Sequence, residues 1–105
     1  MIIYNVTVSI EEDVHDDWLN WMKTVHIPDV MATGKFVDYQ ICKVLSQEDK
    51  GLTYAIQYRC KDMKTLHMYQ VQDAPNLQKD HGERYSGKYV AFRSLLEVVD
   101  DNRNG

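Results

Sequence analysis

Two helical pairs and two strand arginines are the residues of this chain best suited to chemistry. His81 and Arg84 stand three apart, so on a helix they share one face. A histidine titrates near neutrality and can move a proton, while an arginine beside it can hold an anion. His26 and Asp29 repeat the spacing and offer a base with an orienting carboxylate. Each pair also has a plain structural role: the first can settle against Asp80 or Glu83 at a helix end, the second can cap the turn around Pro28. Arg59 and Arg93 lie in alternating segments, and two guanidiniums in one chamber would grip a carboxylate or other small anion through paired hydrogen bonds. Salt bridges to Asp38 and Glu97 are their other natural use. His81 and His26 are therefore the candidate catalytic residues, with Arg59, Arg93 and Arg84 as candidate ligand contacts. His15 and His67 fall on polar or mixed helix positions and read as solvated.

The elements that must position these side chains follow from periodicity. Ile2, Tyr4, Val6, Val8 and Ile10 alternate with Asn5, Thr7 and Ser9, which predicts a strand with one buried face. A helix should follow Glu11-Glu12-Asp13, with Asp13 as N-cap and Val14, Trp18, Trp21, Met22 and Val25 on its apolar face. The Trp18–Trp21–Met22 stripe reads as core, not as a cofactor box. Pro28 should interrupt that helix at His26–Asp29 and start a second short one that Gly34 closes. Strands are predicted over about 35–45 and 52–60, joined by the polar turn Ser46–Gly51. A second helical region spans 62–85, broken near Ala74-Pro75, with Leu77, His81 and Tyr85 recurring every four residues. The last strand, 88–99, should place Val90, Phe92, Leu96 and Val98 toward the core and Tyr89, Ala91, Arg93, Leu95 and Glu97 away from it.

Strand–helix–strand units of this length cross over right-handed. With a hairpin between them, the closure is a ferredoxin-like α+β fold, βαββαβ, whose four-stranded antiparallel sheet carries its helices on one face. The uncovered face would then present Asn5, Thr7, Ser9, Asp38, Gln40, Gln57, Arg59 and Arg93 among apolar Ile3, Leu95 and Val99. That mixture is too apolar for a solvated face and too polar for a second core. It predicts a homodimer in which two sheets enclose a polar chamber, with Asn5 and Gln57 joining the arginines as ligand contacts.

Composition narrows the partners. A chain of 105 residues with 27% charged residues is expected to fold as one domain, here 1–100 with a polar tail at 101–105. The net charge of −4 argues against nucleic acid or an anionic membrane as partner. The strand order is also that of an RNA-recognition module. However, Lys50 to Tyr58 matches the aromatic RNA-stacking motif poorly, because Leu52 replaces one aromatic. No apolar run is long enough to span a bilayer, and the alternating start is not a signal peptide, so a cytoplasmic site is expected. Cys42 and Cys60 read as reduced packing residues. There is no phosphate loop, dinucleotide fingerprint, metal-ligand spacing or nucleophile elbow, so no cofactor is expected.

Several segments resemble an uncharacterised bacterial family of about a hundred residues, itself similar to the dimeric α/β-barrel superfamily. They are His26-Ile27-Pro28-Asp29-Val30-Met31-Ala32-Thr33-Gly34, Trp18-Leu19-Asn20-Trp21-Met22, Ala74-Pro75-Asn76-Leu77-Gln78 with His81 and Arg84, and Val90-Ala91-Phe92-Arg93-Ser94-Leu95-Leu96-Glu97. The superfamily includes antibiotic-biosynthesis-type and haem-degrading monooxygenases, isomerases and ligand binders. The resemblance implies a dimer and this fold but no substrate. The haem-degrading members use a first-strand Asn with a Trp and a His on the second helical region. Asn5 and His81 stand in comparable places, and Tyr69 stands near the Trp position. The expected function is a homodimeric small-molecule binder or cofactor-independent enzyme for an anionic ligand. A structural or regulatory self-association module is the alternative, and such a monooxygenase a further one.

Overall fold

In the computed structural model, residues 1–46 and 52–103 are described. The chain runs β1 (Ile2–Ile10), a 3-10 turn (Glu12–Val14), α1 (His15–Trp21), a π-helical turn (Met22–His26), α2 (Ile27–Ala32), β2 (Asp38–Lys43), β3 (Thr53–Cys60), α3 (Met63–Gln72), α4 (Ala74–Arg84) and β4 (Tyr89–Glu97). The strands form one antiparallel sheet in the order β2-β3-β1-β4. With helices on one face only, this is the ferredoxin-like α+β fold. The hairpin turn expected at Ser46–Gly51 lies, apart from Ser46, outside the described residues. Among the described residues no helix is long and apolar enough to cross a membrane.

Alternation on β1 and β3 sets the core. Tyr4, Val8 and Ile10 on β1 and Tyr54, Ile56, Tyr58 and Cys60 on β3 are buried against the helices, where Trp18, Ile27, Val30, Leu66 and Tyr69 meet them. Fully burying an aliphatic side chain of this size contributes about 1.5–3 kcal/mol. Asp62 caps α3 by accepting the Thr65 amide at 2.8 Å. Asp73 stands at the N-cap position of α4, but its carboxylate takes the Lys35 ammonium at 2.9 Å and makes no capping hydrogen bond. Asp13 lies inside the 3-10 turn and holds Lys88 at 2.7 Å rather than capping the first helix.

Three expectations are corrected. The helix is not interrupted at His26–Asp29. The Ile27 amide reaches the Met22 carbonyl, five residues back, and this wider turn admits the Pro28 ring, which has no amide hydrogen to donate. Cys42 is exposed on β2 and only Cys60 is buried, its thiol donating to the Lys35 carbonyl at 3.3 Å.

The third correction concerns β4, whose two faces are exchanged relative to the prediction. In its register with β1, Arg93 stands opposite Val6, Ala91 opposite Val8 and Tyr89 opposite Ile10, so these three face the helices. Val90, Phe92 and Leu96 stand on the open face beside Ser9, Thr7 and Ile3. Both faces of β4 carry apolar side chains, so its alternation alone cannot choose between them. Pairing with β1 decides it.

Candidate functional site

A cavity of about 370 Å³ lies between the sheet and the helical layer. Its sheet wall is Tyr4, Val6, Val8, Ile56, Tyr58, Tyr89, Ala91 and Arg93, and its helical wall includes Met22, His26 and Val30. Tyr69 from α3 and Pro75, Leu77, Gln78, Lys79 and His81 from around α4 complete it. The π-helical turn matters here because Met22 at its start and His26 at its end both reach this wall. A small side chain, Ala91, leaves space on β4 opposite the helices.

The polar groups of the lining are four tyrosines, His26, His81, Gln78, Lys79 and Arg93. His81 is only 8% exposed, and its Nε2 accepts a hydrogen bond from the indole N–H of fully buried Trp18 at 2.9 Å. Its ring meets Tyr89 edge-on, with centroids 4.5 Å apart. Burial pushes the His81 pKa down from 6.5 to about 4, and His26 and Arg93 add to the effect. His26 stacks on Trp21 at 5.1 Å and stands 5.7 Å from the His81 ring. Burial lowers its pKa too, with Asp29 and Asp80 opposing the shift and Arg93 reinforcing it. Burial also holds the Tyr58 and Tyr69 phenols well above their usual range, so they remain neutral. Arg93 donates from Nε to the Tyr4 hydroxyl at 3.0 Å and has no carboxylate partner among the described residues.

The sheet therefore divides the sequence-derived site residues into two groups. His81, His26, Tyr69 and Arg93 share the cavity. Asn5, Gln57 and Arg59 occupy the opposite, open face, so Arg93 and Arg59 do not converge and the expected two-arginine pair is corrected. There the Asn5 amide donates to Thr7 and Ser94, Gln57 accepts from Gln40, and Arg59 pairs with Asp38 at 3.6 Å. Arg84 lies outside the cavity. It donates to Tyr85 and Asp17 and covers the Trp21 ring, lining a surface groove that His26 also borders. Sequence reasoning missed Trp18 and Tyr4 as site residues. The available signal was chemical: tyrosines and a tryptophan on a core face carry polar tips that need partners. His15 was misread as solvated; its Nε2 shares a 2.7 Å hydrogen bond with the Tyr54 hydroxyl.

The haem-degrading arrangement does not fit these residues. Asn5 is on the far face of the sheet from His81, and the Trp18 indole occupies His81 Nε2, leaving that nitrogen closed to an iron. Among the described residues, no group of three or more His, Cys, Asp or Glu could hold a metal ion.

A family described as a domain of unknown function, DUF4286, matches residues 1–99. The chain belongs to that family. Members of solved structure groups with the same fold are distant: a dimeric ferredoxin-like protein from an uncultured marine organism is 11% identical, with a TM-score of 0.72 over 97% of this chain and 98% of the other. SnoaB from Streptomyces nogalater, a cofactor-independent oxygenase, is 11% identical with a TM-score of 0.69 over 97% of each chain. A Deinococcus radiodurans protein provisionally assigned as an antibiotic biosynthesis monooxygenase is 15% identical, with a TM-score of 0.69 over 98% of this DUF4286 chain and 97% of the other. At such identities the likeness concerns the fold. A search of curated proteins finds no match.

Proposed function

We propose that this DUF4286 protein is a cytoplasmic homodimer whose subunits each bind a small, largely apolar molecule with an anionic or strongly accepting oxygen group. It acts either as a binding protein or as a cofactor-independent enzyme. The observation that carries this reading is the cavity itself, whose tyrosines and aliphatic side chains surround an arginine without an acidic partner. The site is thus moved from the space between two sheets to the interior of each subunit. SnoaB, described as a cofactor-independent oxygenase, lends support to the catalytic form. The free thiols of Cys42 and Cys60 suit a reducing compartment.

A thermal-shift screen with pooled planar organic acids tests the proposal. Arg93→Ala should weaken any hit by roughly 10–100-fold, the range for losing a charged hydrogen bond. Ala91→Leu should abolish it by filling the cavity, and Arg59→Ala on the far face should leave it unchanged. A hit indifferent to both Arg93→Ala and Ala91→Leu would place the ligand elsewhere.

The self-association module remains a second reading because a separate observation favours it. Val90 is 72% exposed and Phe92 61%, and both lie with Leu96 on the open sheet face. On the same face Asn5 Oδ1 and Arg59 Nε are buried without a partner among the described residues. An apolar stripe beside unsatisfied polar atoms suits packing against a second copy, and the similar marine protein is described as dimeric.

A further inference from the structure

We infer that Trp18 holds His81 as a neutral imidazole protonated on Nδ1, making His81 a fixed hydrogen-bond donor to a ligand oxygen and not the base of the site. The inference rests on the proposed cavity binding and deepens it by naming what the ligand must present: a carboxylate, enolate or carbonyl oxygen on a flat apolar body.

The assignment follows from donor inventory. An indole N–H can only donate, so the His81 nitrogen it contacts at 2.9 Å must be bare. In a neutral imidazole the other nitrogen then carries the hydrogen, and Nδ1 has no partner among the described residues. Trp18 is completely buried and cannot turn away without opening the core. The environment keeps the ring uncharged: Trp18, Trp21, Tyr85 and Tyr89 pack around it, His26 faces it, and Arg93 is the nearby cation. His81 therefore offers no lone pair to the cavity. Its ring and Arg93 both line that space and both carry donors, an arrangement that favours an electron-rich oxygen within the cavity.

Proton exchange, where the reaction needs it, falls to His26. That ring borders both the cavity and the outer groove that carries Asp29, Asp80, Glu83 and Arg84. Trp18 is a positioning residue, since it touches His81 and does not line the cavity.

Long-range proton–nitrogen NMR of protein with isotope-labelled histidines tests the assignment. In the free wild type near neutral pH, His81 should show a protonated Nδ1 and a bare Nε2. Trp18→Phe should redistribute the hydrogen between the two nitrogens, which loss of packing alone would not do. A wild-type spectrum with the hydrogen on Nε2, or a mixture of forms, overturns the inference even if Trp18→Phe does not fold. With naphthoate added, the His81 Nδ1 proton should move, whereas methylnaphthalene, which lacks an acceptor, should leave it in place. Naphthoate that shifts other cavity resonances but not this proton overturns the donor role. Naphthoate that shifts no cavity resonance overturns the cavity reading and the ligand-facing half of the inference, while the tautomer is decided by the free protein alone.

Discussion

His81 shows how one side chain ties stability to acidity. The unfolded chain takes up a proton on this residue near pH 6.5, whereas the folded chain resists until about pH 4. Folding stability attributable to His81 is therefore complete above the unfolded value, declines as pH falls through this window, and is exhausted below it. The loss amounts to up to about 3 kcal/mol, at roughly 1.4 kcal/mol per pKa unit. His26, lowered by the same cause, acts in the same direction. His81→Gln keeps an acceptor for the Trp18 indole but cannot titrate. Urea unfolding at neutral pH and at mildly acidic pH should show a smaller acid-induced loss for the variant than for the wild type. Equal losses would mean that the ring is solvated. His81 was recognisable in the sequence as a titratable candidate. Its partner was not, because Trp18 lies 63 positions away and only the packing of α1 against α4 brings the two together.

Among the elements, those with one apolar face were readable and those with two were not. β1 and β3 alternate cleanly, so their faces and the whole topology followed from pattern. β4 carries Val90, Phe92 and Leu96 on one side and Tyr89, Ala91 and Leu95 on the other, and only its ladder with β1 assigns them. The π-helical turn was illegible for another reason: Pro28 signals a break in any regular helix, and a turn one residue wider is a tertiary accommodation. Gly34, by contrast, was read correctly as the end of α2. Its φ of +75° favours glycine, and a Cβ there would meet nothing within 4 Å, so backbone strain is the only penalty for adding one. Gly34→Ala should cost about 1 kcal/mol by urea unfolding, and Gly34→Asn less, because asparagine enters this conformation more readily.

At the scale of the molecule, the sheet separates the cavity from an open face that carries exposed apolar side chains. Phe92 is the most telling residue of that face, being large, apolar and exposed. Phe92→Glu should convert the protein from the mass of two chains to that of one in sedimentation at micromolar concentration. The cavity should survive, since Phe92 does not line it. A wild type already running as a single chain would end the dimer proposal. Self-association was expected from the mixed character of the open face, but Phe92 and Val90, two of its exposed apolar side chains, were expected in the core.

Arg93 and Phe92 are chain neighbours that face opposite sides of the sheet, their phase fixed by the ladder with β1 that the short link from Arg84 to Tyr89 leads into. A strand has a side-chain period of two, so one residue added to or lost from that link would send the guanidinium outward and the phenyl ring inward together. Binding and association would fail in a single step, while a change of two residues would restore the parity of both. In descendants of this chain, the length of that link is consequently expected to drift in even increments or not at all.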